Sequence, residues 1–300
     1  MREEAGDELA CEATVLRGFA RFAPALQEHL RDPQLPSIAI ITSQAAQYSV
    51  LADFQIEAQR RAVRALAYDD HQPAYMIAEN QIEKLGSPKL AILPSPQALG
   101  DAAWRALLKY VDAGGNLLIT GPVDRDEHWQ IVNRSHELGV AAHVEPLTYH
   151  NATVKMGNRS LPLAFGEPQQ NWLDSLRFDD GSTFAEVHHG KGVIFWTAYP
   201  VELAEDLQSA SDLYSYVAGR LNLAPMFSLT TPLPPGVLAF PTVLSDSILY
   251  VLVSDSANDA SINLRDQATG VSLALTLPAE HAAIAVIGKK EKKIVAKYGF

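Results

Sequence analysis

A single cysteine, Cys11, stands among 300 residues. The chain therefore has no internal disulfide and no thiolate cluster to hold zinc. No apolar run approaches the ~20 residues of a membrane span, which argues against a membrane partner. Positive charge is also scarce, with 24 lysines and arginines against 35 acids and a net charge of -11. Such a balance disfavours nucleic acid and anionic membrane surfaces as partners. The one basic run, Lys289 to Lys293, is interrupted by Glu291 and reads as a solvated hairpin turn between two apolar strands. The opening residues MREEAGDELA lack the basic start and apolar stretch of a signal peptide, so a cytoplasmic location is expected.

The usual signatures of catalysis are missing too. No G-x-S-x-G occurs, and Ser95 lies between two prolines rather than between the glycines of a nucleophile elbow. Cys11 precedes the first strand and reads as a buried small hydrophobe of a helix. There is no G-x-G-x-x-G or P-loop, and Gly114-Gly115 comes before a strand rather than after one, as a helix stop would. His188 and His189 alternate to opposite faces of a strand, while His128 and His136 lie eight apart with no carboxylate at zincin spacing. Neither a metal nor a cofactor is expected. Asn133, Asn151 and Asn158 open N-x-S/T sequons, which matter only in a eukaryotic secretory context.

What the chain does have is a βαβ unit in KLAILPSPQALGDAAWRALLKYVDAGGNLLITGPVDRDEHW, residues 89 to 129. Leu90–Leu93 and Asn116–Thr120 are continuous apolar runs, as in parallel strands buried on both faces. Between them Trp104, Leu107, Leu108 and Val111 recur at helical spacing, with Asp101 placed as N-cap and Gly114 after the last turn. Upstream, residues 37–42 and 74–78 read as further strands around a helix over 50–68.

Three regions follow. Residues 1–35 form a helical lead-in, with Leu9, Ala13, Leu16, Ala20 and Ala23 on one stripe, widened by Val15, Phe19, Phe22 and Leu26; Pro24 is expected to kink or split it. Residues 36–224 alternate strands and helices, giving an α/β, mainly parallel sheet with helices on both faces. From Asp126 a helix through Ile131 and Leu138 is predicted to give way to an insertion at about 140–180. A hairpin over 184–196 turns at His189-Gly190-Lys191-Gly192, and a helix over 209–221 closes the region. After the stiff TTPLPPG segment, residues 225–300 carry short strands at hairpin spacing over 248–253, 261–264, 271–277, 282–287 and 294–298, the pattern of a small all-β sandwich.

The strand ending LPSPQAL, the helix with Trp104, AGGNLLITGP, RDEHW and the later GKGVIFWTAYPVELAED resemble the flavodoxin-like, class I glutamine amidotransferase-like trimerisation domain of glycoside hydrolase family 42 β-galactosidases. The resemblance covers roughly residues 36 to 224, and the remainder more loosely. It implies a homo-oligomer, a trimer in the family, and an upstream catalytic (β/α)8 barrel on which the lead-in helix once leaned. A barrel needs about 250 residues and does not fit within the regions above.

Ser43, Glu79, Ser95, Asp124, Arg125 and Glu202 follow predicted strands and would line the crevice where doubly wound folds bind ligands. Surface, capping or interdomain roles are the more ordinary reading, since every parallel sheet ends in polar loops, and Arg125 beside Asp124 and Asp126 is placed to pair with a neighbouring domain or subunit. No catalytic residue is assigned. The tryptophans all precede residue 225, leaving the last domain few aromatics on which to stack a sugar. The reading is a non-catalytic assembly portion of a β-galactosidase-like hydrolase. The alternatives are a stand-alone module binding a small polar ligand or carbohydrate, possible galactosides included, and a residual hydrolase with unrecognised carboxylates.

Overall fold

The computed structural model describes the backbone of residues 2–299 and the side chains of residues 13–299. The chain divides into two compact units, residues 36–224 and residues 1–35 together with 225–300. Helix α1 (Arg2–His29) opens the second of these and runs through Pro24 as one element.

In the larger unit the chain passes through β1 (Ile38–Thr42), α2 (Gln44–Gln47), α3 (Ala52–Arg64) and a π-helical turn at Ala65–Asp69, then β2 (Ala74–Ala78). A 3₁₀ stretch at Glu79–Lys84 leads to β3 (Leu90–Leu93), α4 (Asp101–Asp112) and β4 (Asn116–Thr120). Four short elements follow, α5 (Arg134–Glu137), β5 (Ala142–Pro146), β6 (Asn151–Met156) and β7 (Arg159–Ala164), then α6 (Glu167–Trp172) and β8 (Asp174–Phe178). The unit closes with β9 (Phe184–His189), β10 (Gly192–Thr197), a 3₁₀ turn at Val201–Leu203 and α7 (Gln208–Arg220).

These strands make a six-stranded sheet in the order β2-β1-β3-β4-β10-β9. The first five are parallel and β9 is antiparallel to β10. The predicted neighbours 37–42, 74–78, 90–93 and 116–120 therefore lie side by side. Their apolar runs are continuous because both faces are covered. Ile38, Ile40, Leu90, Ile92 and Phe195 meet α3 and α7, whereas Ala91, Leu93, Ile119 and Trp196 meet α4. Residues 142–178 add two small antiparallel pairs, β5–β8 and β6–β7, where another βα repeat would stand.

Two local expectations fail. The predicted helix from Asp126 does not form. Asp126 Oδ1 accepts from the amides of His128 and Gln130, Trp129 sits at φ 61°, and Ile131 forms a lone β-bridge with Arg125. An aspartate turn capturing its own following amides competes with helix, and the left-handed residue excludes it. The N-cap of α4 is Gly100 rather than Asp101. The amide of Asp101 donates to Glu127 Oε2 at 2.9 Å, while the Asp101 carboxylate pairs with Arg134 at 2.6 Å.

The other unit holds β11 (Phe227–Leu229), β12 (Val237–Val243), β13 (Ser247–Ser254), β14 (Ala260–Asp266), β15 (Ser272–Leu277), β16 (Ala282–Gly288) and β17 (Lys293–Tyr298). They form antiparallel sheets β11-β14-β15 and β12-β13-β16-β17 sharing one apolar core. Tyr250 of β13 crosses that core, its hydroxyl donating to buried Asp266 of β14 at 2.7 Å. Strand β12 had no counterpart in the sequence reading. Its Pro241 is tolerated because β12 is an edge.

Helix α1 docks on β17 through Phe22 and Leu26, the face that also carries Phe19. The expected stripe through Leu16 is displaced, for Leu16 is 69% exposed. The Cys11 side chain lies outside the described residues. Tyr298 stacks on Phe22 at 5.5 Å, meets Phe19 edge-on at 5.7 Å, and donates its hydroxyl to the Val15 carbonyl at 3.0 Å. Its ring lies 3.3 Å from where a Cβ on Gly18 would sit, so a larger residue there would push the ring back by a few tenths of an ångström. Tyr298 is half-buried, so truncating it is expected to cost less than the roughly 3 to 5 kcal/mol of a fully buried aromatic. Tyr298→Ala is accordingly expected to open α1 to limited proteolysis between residues 13 and 29, read by mass spectrometry, while fragments from 36–224 stay as resistant as before.

Candidate functional site at the carboxyl ends of the strands

Parallel strands end in loops at one edge of the sheet, and every residue singled out from the sequence lies in those loops. They resolve into three networks around three different carboxylates, the second and third meeting at Gly100-Asp101.

The first centres on Glu202, in the 3₁₀ turn after β10. Its carboxylate is 1% exposed. Oε2 accepts from the Ser95 hydroxyl at 2.7 Å and from the Thr120 hydroxyl at 2.5 Å, and Oε1 accepts from the Tyr214 hydroxyl at 2.6 Å. The Ser95 amide in turn donates to Thr120 Oγ1 at 2.8 Å, which fixes the direction of the threonine proton. Ser95 holds a left-handed φ of 44°, a strained turn directly after β3. For a non-glycine residue that strain costs roughly 1 to 2 kcal/mol. Burial pushes the Glu202 carboxyl upward, and the three hydroxyls pull against it without cancelling it. The Tyr214 phenol is pushed up by the same burial and by the neighbouring carboxylate.

The second network joins the loops after β1, β2 and β3. Glu79 accepts from the Ala45 amide at 3.0 Å and the Gly100 amide at 3.3 Å. Ser43, fully buried, donates to the Ala98 carbonyl at 2.6 Å and caps α2 by accepting from the Ala46 amide. Burial raises the Glu79 carboxyl, the amides oppose this, and the charge of Glu127 adds to the rise.

The third lies beyond β4. Asp124 Oδ1 accepts from both the amide and the hydroxyl of Ser135, at 3.0 and 2.9 Å. Its Oδ2 is buried without a partner, as is Nε of Arg134. Arg134 is 1% exposed. Its Nη1 donates to the carbonyls of Val123 and Arg125, and its guanidinium lies over Trp104. Arg125 turns away from Asp124 and pairs with Asp174 at 2.8 Å, within the same unit.

Glycoside hydrolysis needs a carboxylic acid and a carboxylate about 5 to 9 Å apart across the scissile bond, both reachable by the sugar. Glu79, Asp124 and Glu202 are 9%, 4% and 1% exposed, and internal donors take up every carboxylate oxygen but one. Ser95 donates directly to a carboxylate with no imidazole between them, so it lacks the base that activates a serine nucleophile. As folded, these groups fasten loops. Among the described residues, no group of three or more His, Cys, Asp or Glu side chains has the geometry to hold a metal ion.

Comparison with solved structures gives the fold a relation. A catalytic mutant of a family 42 β-galactosidase from G. stearothermophilus matches 85% of this chain with 41% of its own at a TM-score of 0.63 and 14% identity. The chain has the fold of a part of the family 42 β-galactosidases. A β-galactosidase from a Rahnella species matches at 0.59 and 18% identity over the same shares, 85% and 41%. A family 42 exo-carrageenase from Bacteroides ovatus matches at 0.50 and 12%, over 86% of this chain and 29% of that one. The chain thus spans about two-fifths or less of the length of these family 42 structures. No family model and no curated protein sequence matches it.

Within this family 42-like fold, sequence reasoning missed Thr120, Tyr214, Arg134 and Asp70. Thr120 is the one polar side chain closing an otherwise apolar strand end, and a strand buried on both faces has no solvent to satisfy it, which was the available signal. Asp70 ends the π-helical turn, accepts from the Ser215 hydroxyl of α7, and has a carboxyl pushed up to about 7, first by burial and then by nearby Asp69 and Asp212. A folded value above the unfolded 3.8 means the folded state favours the protonated form. Its stabilising contribution is complete below pH ~4 and is lost as pH rises toward 7. Asp70→Asn is therefore expected to flatten the fall in urea midpoint between pH 4 and 8, and to raise stability at pH 8 on the order of 2 kcal/mol.

Proposed function

We propose that this chain is the assembly portion of a β-galactosidase-like glycoside hydrolase. In this reading it associates into a homo-oligomer, a trimer by the resemblance of its sequence, and supports the active site of a neighbouring catalytic barrel while carrying no catalytic residue. The observation that carries the proposal is the state of the carboxylates at the strand ends. Three acids stand where a ligand would lie in a doubly wound fold, and all three are buried in bonds to their own loops. A site kept for chemistry exposes its acid and base to the substrate.

The strand order β2-β1-β3-β4-β10 supports a flavodoxin-like, amidotransferase-like ancestry for the larger unit, since 2-1-3-4-5 is the flavodoxin order. Ser95, strained after β3 at the position where an elbow nucleophile would stand, fits that ancestry with the chemistry lost. Two antiparallel sheets over one core support a β-sandwich for residues 225–300. The likeness to both β-galactosidases and an exo-carrageenase supports a carbohydrate setting and leaves the sugar open.

Two measurements on the purified chain test the reading. Multi-angle light scattering is expected to report a trimer, whose interfaces should each bury on the order of 1,200 Å² or more. Incubation with o-nitrophenyl β-galactoside is expected to give the buffer rate. A monomer at high protein concentration would remove the assembly role, and turnover abolished by Glu202→Gln would restore the hydrolase alternative.

A further inference from the structure

We propose that the outer edge of β9 is a docking site for an extended segment of a partner protein, a segment alternating apolar and basic residues that adds to the main sheet as a seventh strand. The inference is independent of the assembly role. It rests on an edge that the fold leaves open and on the trough beside it.

Strand β9 is the last in its sheet, and its ladder runs to β10 alone. In an antiparallel pair alternate residues turn their N–H and C=O groups away from the partner, so half of this strand's backbone groups face outward. Native proteins blunt such edges with proline, lysine, glycine bulges or very short strands. The sequence FAEVHH has no proline, lysine or glycine, its one charge, Glu186, is paired with Arg220, and its six residues pair with β10 without a register break. At ~3.3 Å per residue this offers about 20 Å of usable edge.

Along that edge runs a trough of about 830 Å³, bounded by β9 on one side and by residues 138–141 and 178–182 on the other. Its apolar lining comes from Leu138, Val140, Phe178, Phe184 and Val187. Such a lining gives alternate side chains of an added strand somewhere to go, the arrangement by which strand addition combines backbone affinity with side-chain specificity.

Charge selects the partner. Asp179 and Asp180 rim the trough, both exposed. Glu186 is already forked onto Arg220, at 2.6 and 2.8 Å, and His143 faces Asp179 at 3.1 Å. Asp179 thus shares one oxygen with His143, and Asp180 accepts from the Ser182 amide at 2.8 Å, but both carboxylates stay exposed and are the acids a visitor meets, on a chain of net charge -11. Pairing β9 with β9 of a second copy would bring two sets of these acids together, which like-charge repulsion opposes. A basic segment from a different polypeptide meets them favourably.

The test uses the full chain and three fluorescein-labelled synthetic peptides of about ten residues. One alternates valine and lysine, one alternates valine and glutamate, and the third is the lysine peptide N-methylated at alternate amides to remove strand hydrogen bonds. The lysine peptide is expected to bind in the micromolar range by fluorescence anisotropy, with the other two roughly tenfold weaker or worse. Hydrogen exchange should slow at residues 184–189 on binding. The double change Asp179→Asn with Asp180→Asn removes both charges while keeping an acceptor oxygen for His143 and for the Ser182 amide, and it should weaken the lysine peptide several-fold with the thermal midpoint unchanged. Equal binding of the lysine and glutamate peptides, protection mapping away from β9, no binding at millimolar peptide, or a peptide-independent dimer with 184–189 already protected would each overturn the proposal.

Discussion

The larger unit depends on one buried carboxylate. Glu202 receives three hydroxyls from three places, Ser95 after β3, Thr120 at the end of β4 and Tyr214 within α7. An ionised carboxyl taken from water without donors would cost several kcal/mol, and charge-assisted hydrogen bonds return roughly 1.5 to 3 kcal/mol each. The balance holds only while all three donors stay in place. The same turn positions Val201 and Leu203 in the core beneath α3 and α7, so polar satisfaction and apolar packing fix the loop together.

That constraint explains why the carboxyl ends of the strands are closed. Glu79 draws amides from the loops after β1 and β3, and Asp124 draws both donors of Ser135. In an open doubly wound sheet those amides would be free to meet an anion. Here internal carboxylates occupy them, and a ligand would have to displace buried, hydrogen-bonded charge to enter. An assembly role makes no such demand, because it asks the fold for rigidity and surface.

The sequence revealed the parallel sheet because strands buried on both faces leave an unmistakable apolar run, as in LAIL and NLLIT. The hairpin of β9 and β10 was plain from glycines flanking Lys191. The stretch 126–138 was misread because periodicity was followed past Asp126, whose side chain diverts the next amides into a turn. For α1 the stripe was centred on Leu16 with Phe22 and Leu26 widening it, and contacts with Val286, Ala296 and Tyr298, nearly the whole chain away, shift the buried face onto the widening residues. The candidate site was half visible. Six residues follow their strands as the pattern of runs implies, but their partners Thr120, Tyr214, Ser135 and Arg134 come from elements that no local pattern couples to them.

The claim that the strand-end carboxylates serve the fold is tested most directly by the coupling between Glu202 and Tyr214. Urea denaturation of Glu202→Ala, Tyr214→Phe and the double variant yields that coupling as a mutant cycle. A structural bond predicts that each single change is destabilising and that the two are coupled by about 1 to 3 kcal/mol. Additive effects to within about 0.3 kcal/mol, with Glu202→Ala no less stable than the parent chain, would contradict the account.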